Sequence, residues 1–281
     1  MNLKRSFLFG ALVLFAACQD GNIKYSGDKE DTLIAPAATT VPVKEEVISY
    51  GPDSGAYQGF IAYPEQYSRV SPVVLVVPEW WGLNDYVKTR ARQLAALGYF
   101  AFAVDMYGKG QVAATPDEAK KHAMPFYSNP EMGLQRLKAA MQKLHNYPFA
   151  DTSRIAAIGY CFGGSMVLNA AKAGMPLKGV VSFHGSLSGM APQKDLKARI
   201  LVCHGTADKN VPPEDVARFR KQLDSAGANY IFREYEGATH AFTNPDATAT
   251  GKKFNMPIEY NATADSASWN EMKIFLADVL R

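Results

Sequence analysis

The segment Ile155-Ala156-Ala157-Ile158-Gly159-Tyr160-Cys161-Phe162-Gly163-Gly164 constrains this chain more than any other. Its apolar run has the length of a buried strand, and the residues that follow, Ser165, Met166, Val167, Leu168 and Ala170, carry a helical pattern. A strand that passes into a helix over so few residues must turn sharply. Glycines two residues to either side of Cys161 suit that turn, because a side chain on Gly159 or Gly163 would collide where strand and helix converge. The apex side chain then stands exposed at the end of a sheet as a nucleophile elbow, with a thiol where a serine hydroxyl is usual. Taken alone, a cysteine between glycines is also simply a small residue that fits a packed turn.

The elbow gains chemistry only if an acid and then a histidine follow it in the chain. Residues 199–205, Arg-Ile-Leu-Val-Cys-His-Gly, read as a short buried strand closed by a glycine turn, and Asp208 lies just beyond, 47 residues past Cys161. Residues 230–235 read as a further strand, and the loop Glu236-Gly237-Ala238-Thr239-His240-Ala241-Phe242 places His240 another 32 residues on. Each candidate thus sits past the C-terminal end of an expected strand, where open parallel sheets hold their ligands. Alone, Asp208 is a turn former and His240 a loop residue; it is the ordered set that carries meaning. His184 and His204, which close buried strands, are expected to be structural, and His122 and His145 carry no signal.

The pattern around these residues is α/β. Residues 47–50 and 57–63 alternate like an antiparallel hairpin, and 72–77 form a continuous apolar run of the kind buried on both faces. A helix over 85–97, a strand over 100–104, two helices between 116 and 146 and a strand over 154–158 lead to the elbow. A strand over 179–183 and helices over 213–226 and 267–280 follow. Residues 244–261 lack periodicity and are expected to be a loop near the site, since they begin four residues after His240. Strands alternating with helices imply a three-layer, doubly wound and mostly parallel sheet. The length of 281 residues, 47% of them hydrophobic, suits one large domain.

The N-terminus points to a compartment. Lys4 and Arg5 precede an apolar stretch over 7–17 and then Cys18, a signal-peptide pattern too short to span a bilayer. Phe15-Ala16-Ala17-Cys18 resembles the lipobox of bacterial lipoproteins, which would make Cys18 the lipidated N-terminus of the mature protein; a plain secretory signal is the alternative. The expected organisation is a signal peptide over 1–17, a flexible tether over 18–42 and a catalytic domain over 43–281, in the bacterial cell envelope. Gln19 resembles outer-membrane sorting, and a periplasmic location goes with plain cleavage. The net charge of +3, two units of it from Lys4 and Arg5, gives the domain no electrostatic footprint for nucleic acid. Cys203 belongs in a buried strand as a small core residue, so Cys161 is left as a free thiol in an oxidising compartment, which suggests a use for it.

From about residue 44 to 281 the chain resembles the dienelactone hydrolase family of α/β-hydrolases. The likeness rests on Pro78-Glu79-Trp80-Trp81-Gly82, Val104-Asp105-Met106-Tyr107, the Gly-Tyr-Cys-Phe-Gly-Gly elbow, Asp208, and Gly237-Ala238-Thr239-His240-Ala241-Phe242. It implies hydrolysis of carboxylic ester or lactone bonds in a small molecule by a monomer without cofactor or metal. In the family the glutamate matching Glu79 helps control the protonation of the cysteine. The chemistry of the residues agrees with the resemblance. A cysteine that starts a helix, near an imidazole, favours its thiolate. His240 would take the thiol proton and later activate water, and Asp208 would fix its tautomer, through a thioester acyl-enzyme. The oxyanion hole would be the N–H groups of Phe162 and Trp80.

Trp81 suits an apolar acyl pocket. A thiolate is itself a good leaving group, so lactones, enol esters and activated esters are favoured over peptides. The arginines with which family members bind a substrate carboxylate fall here at Lys109 and Asn244, neither of which offers a guanidinium fork, and Lys252 or Lys253 would be the nearby substitutes. A general carboxylesterase or thioesterase on the same residues, or an envelope binding lipoprotein with a vestigial elbow, are the competing expectations.

Overall fold

A computed structural model describes residues 41–52, 55–66 and 70–281 of the chain. The expected signal peptide, Cys18 and nearly all of the expected tether lie outside the described residues. The elements are β1 (Val43–Tyr50), β2 (Tyr57–Pro64), β3 (Ser71–Val77), α1 (Asp85–Ala96), β4 (Phe100–Ala103), α2 (Pro116–Ser128), α3 (Glu131–Leu144), β5 (Ala150–Tyr160), α4 (Phe162–Lys172), β6 (Gly179–Phe183), β7 (Arg199–Gly205), α5 (Pro213–Ser225), β8 (Tyr230–Tyr235), α6 (Ala247–Phe254) and α7 (Ala262–Val279). The strands form one eight-stranded sheet in the order β1-β2-β4-β3-β5-β6-β7-β8. Only the pairings β1–β2 and β2–β4 are antiparallel; from β4 to β8 all are parallel.

The apolar run of β3 shows why the sheet needs cover on both faces. Val73, Leu75 and Val77 join a core with Phe126 of α2, Leu137 of α3, Val167 of α4 and Phe219 of α5. Val74 and Val76 point the other way, into a core with Val87 and Leu94 of α1 and Met272 and Leu276 of α7. All five β3 side chains are fully buried, each contributing about 1.5–3 kcal/mol of apolar transfer free energy. The period-2 alternation of a strand, met by helices above and below, gives the three layers. From β3 the chain goes first to one side, to β4, and then to the other, to β5, so the topological switch point opens at the C-terminal ends of β3 and β5. Those two ends lead directly into Glu79 and Cys161.

Several elements differ from expectation, β1 among them, which begins at Val43 and not at 47. The presumed loop over 244–261 contains α6, a two-turn helix whose Ala247 and Gly251 are buried; its threonines and glycine are weak helix formers, and tertiary packing supplies what propensity does not. Helix α7 starts at Ala262 and not at 267, because the Asn261 side chain accepts the Ala264 N–H at 3.0 Å and caps a first turn that has no apolar period. Strand β5 begins at Ala150 and not at 154, with a register shift against β3 between Pro72 and Val73 that absorbs the polar residues. Among the described residues no helix is long and apolar enough to cross a membrane.

Candidate functional site

The nucleophile candidate is built by the elbow. Cys161 has φ +52° and ψ −114°, a backbone region that costs a non-glycine residue about 1–3 kcal/mol and persists only where its surroundings hold it. A Cβ on Gly159 would fall on the carbonyl of Gly163, and one on Gly163 on the carbonyl of Val77, so only glycine lets α4 sit this close to β5 and β3. The amide of Cys161 donates to both the Phe183 carbonyl (3.0 Å) and His184 Nδ1 (3.1 Å), and its carbonyl accepts the Ser165 N–H (3.2 Å). The thiol is partly exposed.

The loop after β8 delivers His240 to this thiol. His240 Nε2 lies 3.0 Å from Cys161 Sγ, and its Nδ1 donates to Asp208 Oδ2 at 2.8 Å. The Asp208 side chain is wholly buried and its other oxygen accepts the Asn210 N–H at 2.8 Å, so the carboxylate is locked before it meets the imidazole. Burial opposes a charge on His240, but the adjacent Cys161 and the Asp208 carboxylate outweigh it and hold the imidazolium well above the ordinary histidine range. A bridge to Ile258 pins the loop from outside. Arg90 pins it from below, donating to the Thr243 carbonyl at 2.7 Å while paired with Asp265.

The end of β3 supplies Glu79, Trp80 and Trp81. Glu79 is buried, and burial pushes its carboxyl up to about 7 against the opposing pull of the Asn244 hydrogen bond, His240 and Arg90. Among the described residues its direct side-chain partner is the Asn244 amide, whose Nδ2 donates to Oε2 at 2.7 Å. Asn244, expected beside substrate, is therefore a buried partner of Glu79. Trp80 and Trp81 meet edge to face at 5.2 Å, and Trp81 stacks on Phe254 of α6 at 6.1 Å.

Lys109 is exposed with φ +53° on the turn after β4. Buried Asp105 organises that turn, its carboxylate accepting the N–H groups of Gln58, Tyr107, Gly108 and Gly110 at 2.8–3.1 Å. Tyr107, so fixed, donates its hydroxyl to the Trp80 carbonyl at 2.9 Å and stacks on His122 of α2. Lys252 and Lys253 lie exposed on α6, with Lys253 Nζ 4.8 Å from the Phe254 ring centre.

Sequence reasoning gave His184 a structural place only and passed over Thr243. His184 Nε2 lies 2.7 Å from Thr243 Oγ1, so the histidine joins the elbow to the His240 loop. The available signal was position alone: His184 follows the strand next to the elbow, at the same edge of the sheet. His204, in contrast, packs against Phe232, and Cys203 lies fully buried in β7.

A doubly wound sheet with an elbow thiol, imidazole and carboxylate at its C-terminal edge defines a hydrolase of the α/β-hydrolase fold. Residues 57–280 match the dienelactone hydrolase family, and the chain belongs to that family. It is 31% identical over 183 residues to a protein named carboxymethylenebutenolidase in Methylorubrum extorquens, a match that spans 61% of this chain and 63% of that one. A protein of the same name from Escherichia coli strain K12 is 26% identical over 269 residues, covering 84% of this chain and 89% of its own. Among solved structures, a dienelactone hydrolase-like promiscuous phosphotriesterase from metagenomic libraries superposes with a TM-score of 0.78 at 31% identity, covering 85% of this chain and 99% of that one.

Proposed function

We propose that the protein hydrolyses carboxylic ester or lactone bonds through a Cys161-His240-Asp208 triad and a thioester acyl-enzyme. The observation that carries this reading is the continuous line of contacts from Asp208 Oδ2 to His240 Nδ1 at 2.8 Å and from His240 Nε2 to Cys161 Sγ at 3.0 Å. The thiolate adds to the acyl carbon, and the carbonyl electrons move onto oxygen. As the tetrahedral intermediate collapses the C–O bond breaks, the alkoxide takes a proton from the His240 imidazolium, and the acyl group stays on sulfur. Water then attacks the thioester, gives a proton to His240, and releases the carboxylic acid and the thiolate.

The oxyanion is received by the N–H groups of Phe162 and Trp80. The first N–H groups of a helix have no intrahelical acceptor, which favours Phe162. The Glu79 carbonyl takes the Gly82 N–H at 3.1 Å, turning the N–H of the same peptide, that of Trp80, to the opposite side. Losing one such donor costs about 3 kcal/mol. Glu79, buried and with its carboxyl near neutrality, serves as the local proton store for the thiol.

Substrates are neutral short-chain esters or lactones, since Asn244 is spent on Glu79 and Lys109 offers at most one point charge in place of two guanidinium groups. Trp81 and Phe254 line the acyl side. The test is a panel of p-nitrophenyl esters, lactones, thioesters and a phosphotriester, run with the wild type and with Cys161→Ala and His240→Ala. Loss of ester or lactone cleavage in both variants is expected; wild-type turnover by Cys161→Ala would exclude the mechanism. A tenfold preference for a carboxylate-bearing dienelactone would exclude the specificity. We also propose that a lipid on Cys18 anchors the enzyme in the envelope, so that Cys18→Ser moves it from the membrane fraction to the soluble one.

A further inference from the structure

The nucleophile and the base come from distant stretches of chain, yet their side chains stand 3.0 Å apart, and among the described residues the His184 side chain hydrogen-bonds to both the elbow and the His240 loop. His184 directly follows β6, between the elbow and the His240 loop in the sheet edge. It is 1% exposed and, like Cys161, has positive φ, +41°, a strained conformation for a residue with a bulky ring. Its main chain is anchored by an N–H donated to the Cys203 carbonyl at 2.8 Å. Its ring faces two ways: Nδ1 accepts the Cys161 amide at 3.1 Å, and Nε2 meets Thr243 Oγ1 at 2.7 Å. Thr243 Oγ1 also lies 2.7 Å from the hydroxyl of Tyr86, and its main-chain carbonyl is the acceptor for Arg90.

We propose that His184 is a positioning residue that sets the separation of Cys161 and His240, acting as a rigid strut from the nucleophile's amide to Thr243 in the base's loop. This rests on the reading of Cys161 and His240 as nucleophile and base.

The hydrogen bonds fix the tautomer. An imidazole nitrogen that accepts an amide N–H carries no proton, so the proton of neutral His184 is on Nε2 and is donated to Thr243 Oγ1, whose own hydrogen is then free for the Tyr86 oxygen. Protonation at Nδ1 would remove the acceptor from Cys161. It would also put a second cation beside His240, whose ring centre is 5.4 Å away at 65°, and near Arg90; the Tyr160 ring also faces the imidazole, at 6.2 Å, and the Tyr86 phenol is linked to it through the Thr243 hydroxyl. Burial, His240 and Arg90 hold His184 well below the ordinary histidine range, in agreement with that tautomer. A rigid five-membered ring spans the gap without the rotamer freedom of a longer side chain. The Phe183 carbonyl shares the Cys161 amide, so loss of His184 should leave the elbow formed but the nucleophile less sharply placed.

The experiment compares His184→Leu, His184→Asn and Thr243→Val in the full chain, with kcat expressed per acylatable thiol and kcat and KM resolved separately. The Asn Oδ1 falls near the place of Nδ1 and can accept the Cys161 amide; Leu cannot, and both lose the contact with Thr243. Expected are a kcat lowered tenfold or more in His184→Leu with KM within about threefold, and recovery of at least fivefold in His184→Asn. Thr243→Val removes one hydroxyl and should lower kcat by about three- to tenfold; it carries the test if the His184 variants do not fold. A wild-type kcat in folded His184→Leu, or in Thr243→Val, would overturn the proposal even where Cys161→Ala is inactive. Activity retained in Cys161→Ala would instead overturn the reading on which it rests.

Discussion

Cys161 and Cys203 are the same residue two strands apart in one sheet, and the fold gives them opposite surroundings. Cys203 points from the middle of β7 into the core beneath α7, fully buried, with Tyr235 donating its hydroxyl to the sulfur at 3.5 Å. Burial drives its thiol far above the ordinary range. Cys161 stands one residue past the end of β5, partly exposed, at the start of α4 and 3.0 Å from His240. A strand interior surrounds a side chain with apolar neighbours and admits no charge, whereas a strand end at a switch point offers a helix N-terminus, loop groups and solvent. On the proposed mechanism, reactivity is thus a property of position along a strand.

The sharpest way to break this contrast is to remove each sulfur in turn. Cys161→Ala should lower ester or lactone kcat by at least about 10^4-fold, because nucleophile and base act as a unit, while Cys203→Ala keeps kcat within about twofold. Comparable losses in steady-state assays of the two variants would erase the distinction.

Proton linkage sharpens it further, since burial disfavours the charged form of the Glu79 carboxyl. A carboxyl held at about 7 in the folded state, against an ordinary 4.5, binds more proton folded than unfolded between those values, so its contribution makes stability fall as pH rises through that window. Relative to Glu79→Gln, the wild type should lose up to about 3 kcal/mol between pH 4.5 and 7.5. Parallel urea-stability curves for the two proteins across that range would contradict the burial argument.

Accessibility gives the next effect. Iodoacetamide should alkylate Cys161 at least 100-fold faster than Cys203 in the native protein, on the order of 2.7 kcal/mol in activation free energy, as read by peptide mass spectrometry; equal labelling would mean that β7 opens or the elbow is closed. The smallest expected effect is on the core. Cys203→Ala should cost about 1 kcal/mol of unfolding free energy, with Cys161→Ala costing less because its side chain is only partly packed.

The legible parts of the molecule are those written in local pattern. The β3 run, the glycines around Cys161, and Asp208 and His240 past their strand ends each follow from a short window of sequence, and the structure brings these three side chains together. Helix α6 was illegible because Ala247 to Phe254 has little intrinsic helicity and is held by contacts to Ile258 and Trp81. The partner of Asn244 was illegible for a similar reason. That partner, Glu79, is 165 residues away, and no local signal says that an amide there turns to a buried carboxyl and not to substrate. His184 looked like the end of a buried strand, which it is; that its ring also reaches the elbow depends on the lateral order of β5, β6 and β7, which only the assembled sheet supplies.

The central claim is that acyl groups pass through the Cys161 sulfur. It is tested most directly by quenching the enzyme in acid during turnover of a p-nitrophenyl ester and locating the acyl group by peptide mass spectrometry. The account predicts one acyl group per chain on the peptide carrying Cys161, labile to hydroxylamine as a thioester is, accumulating in His240→Ala if that variant acylates at all, and absent from Cys161→Ala. An acyl group on Ser165 or any other residue, or rapid turnover with no covalent adduct at any time, would contradict it.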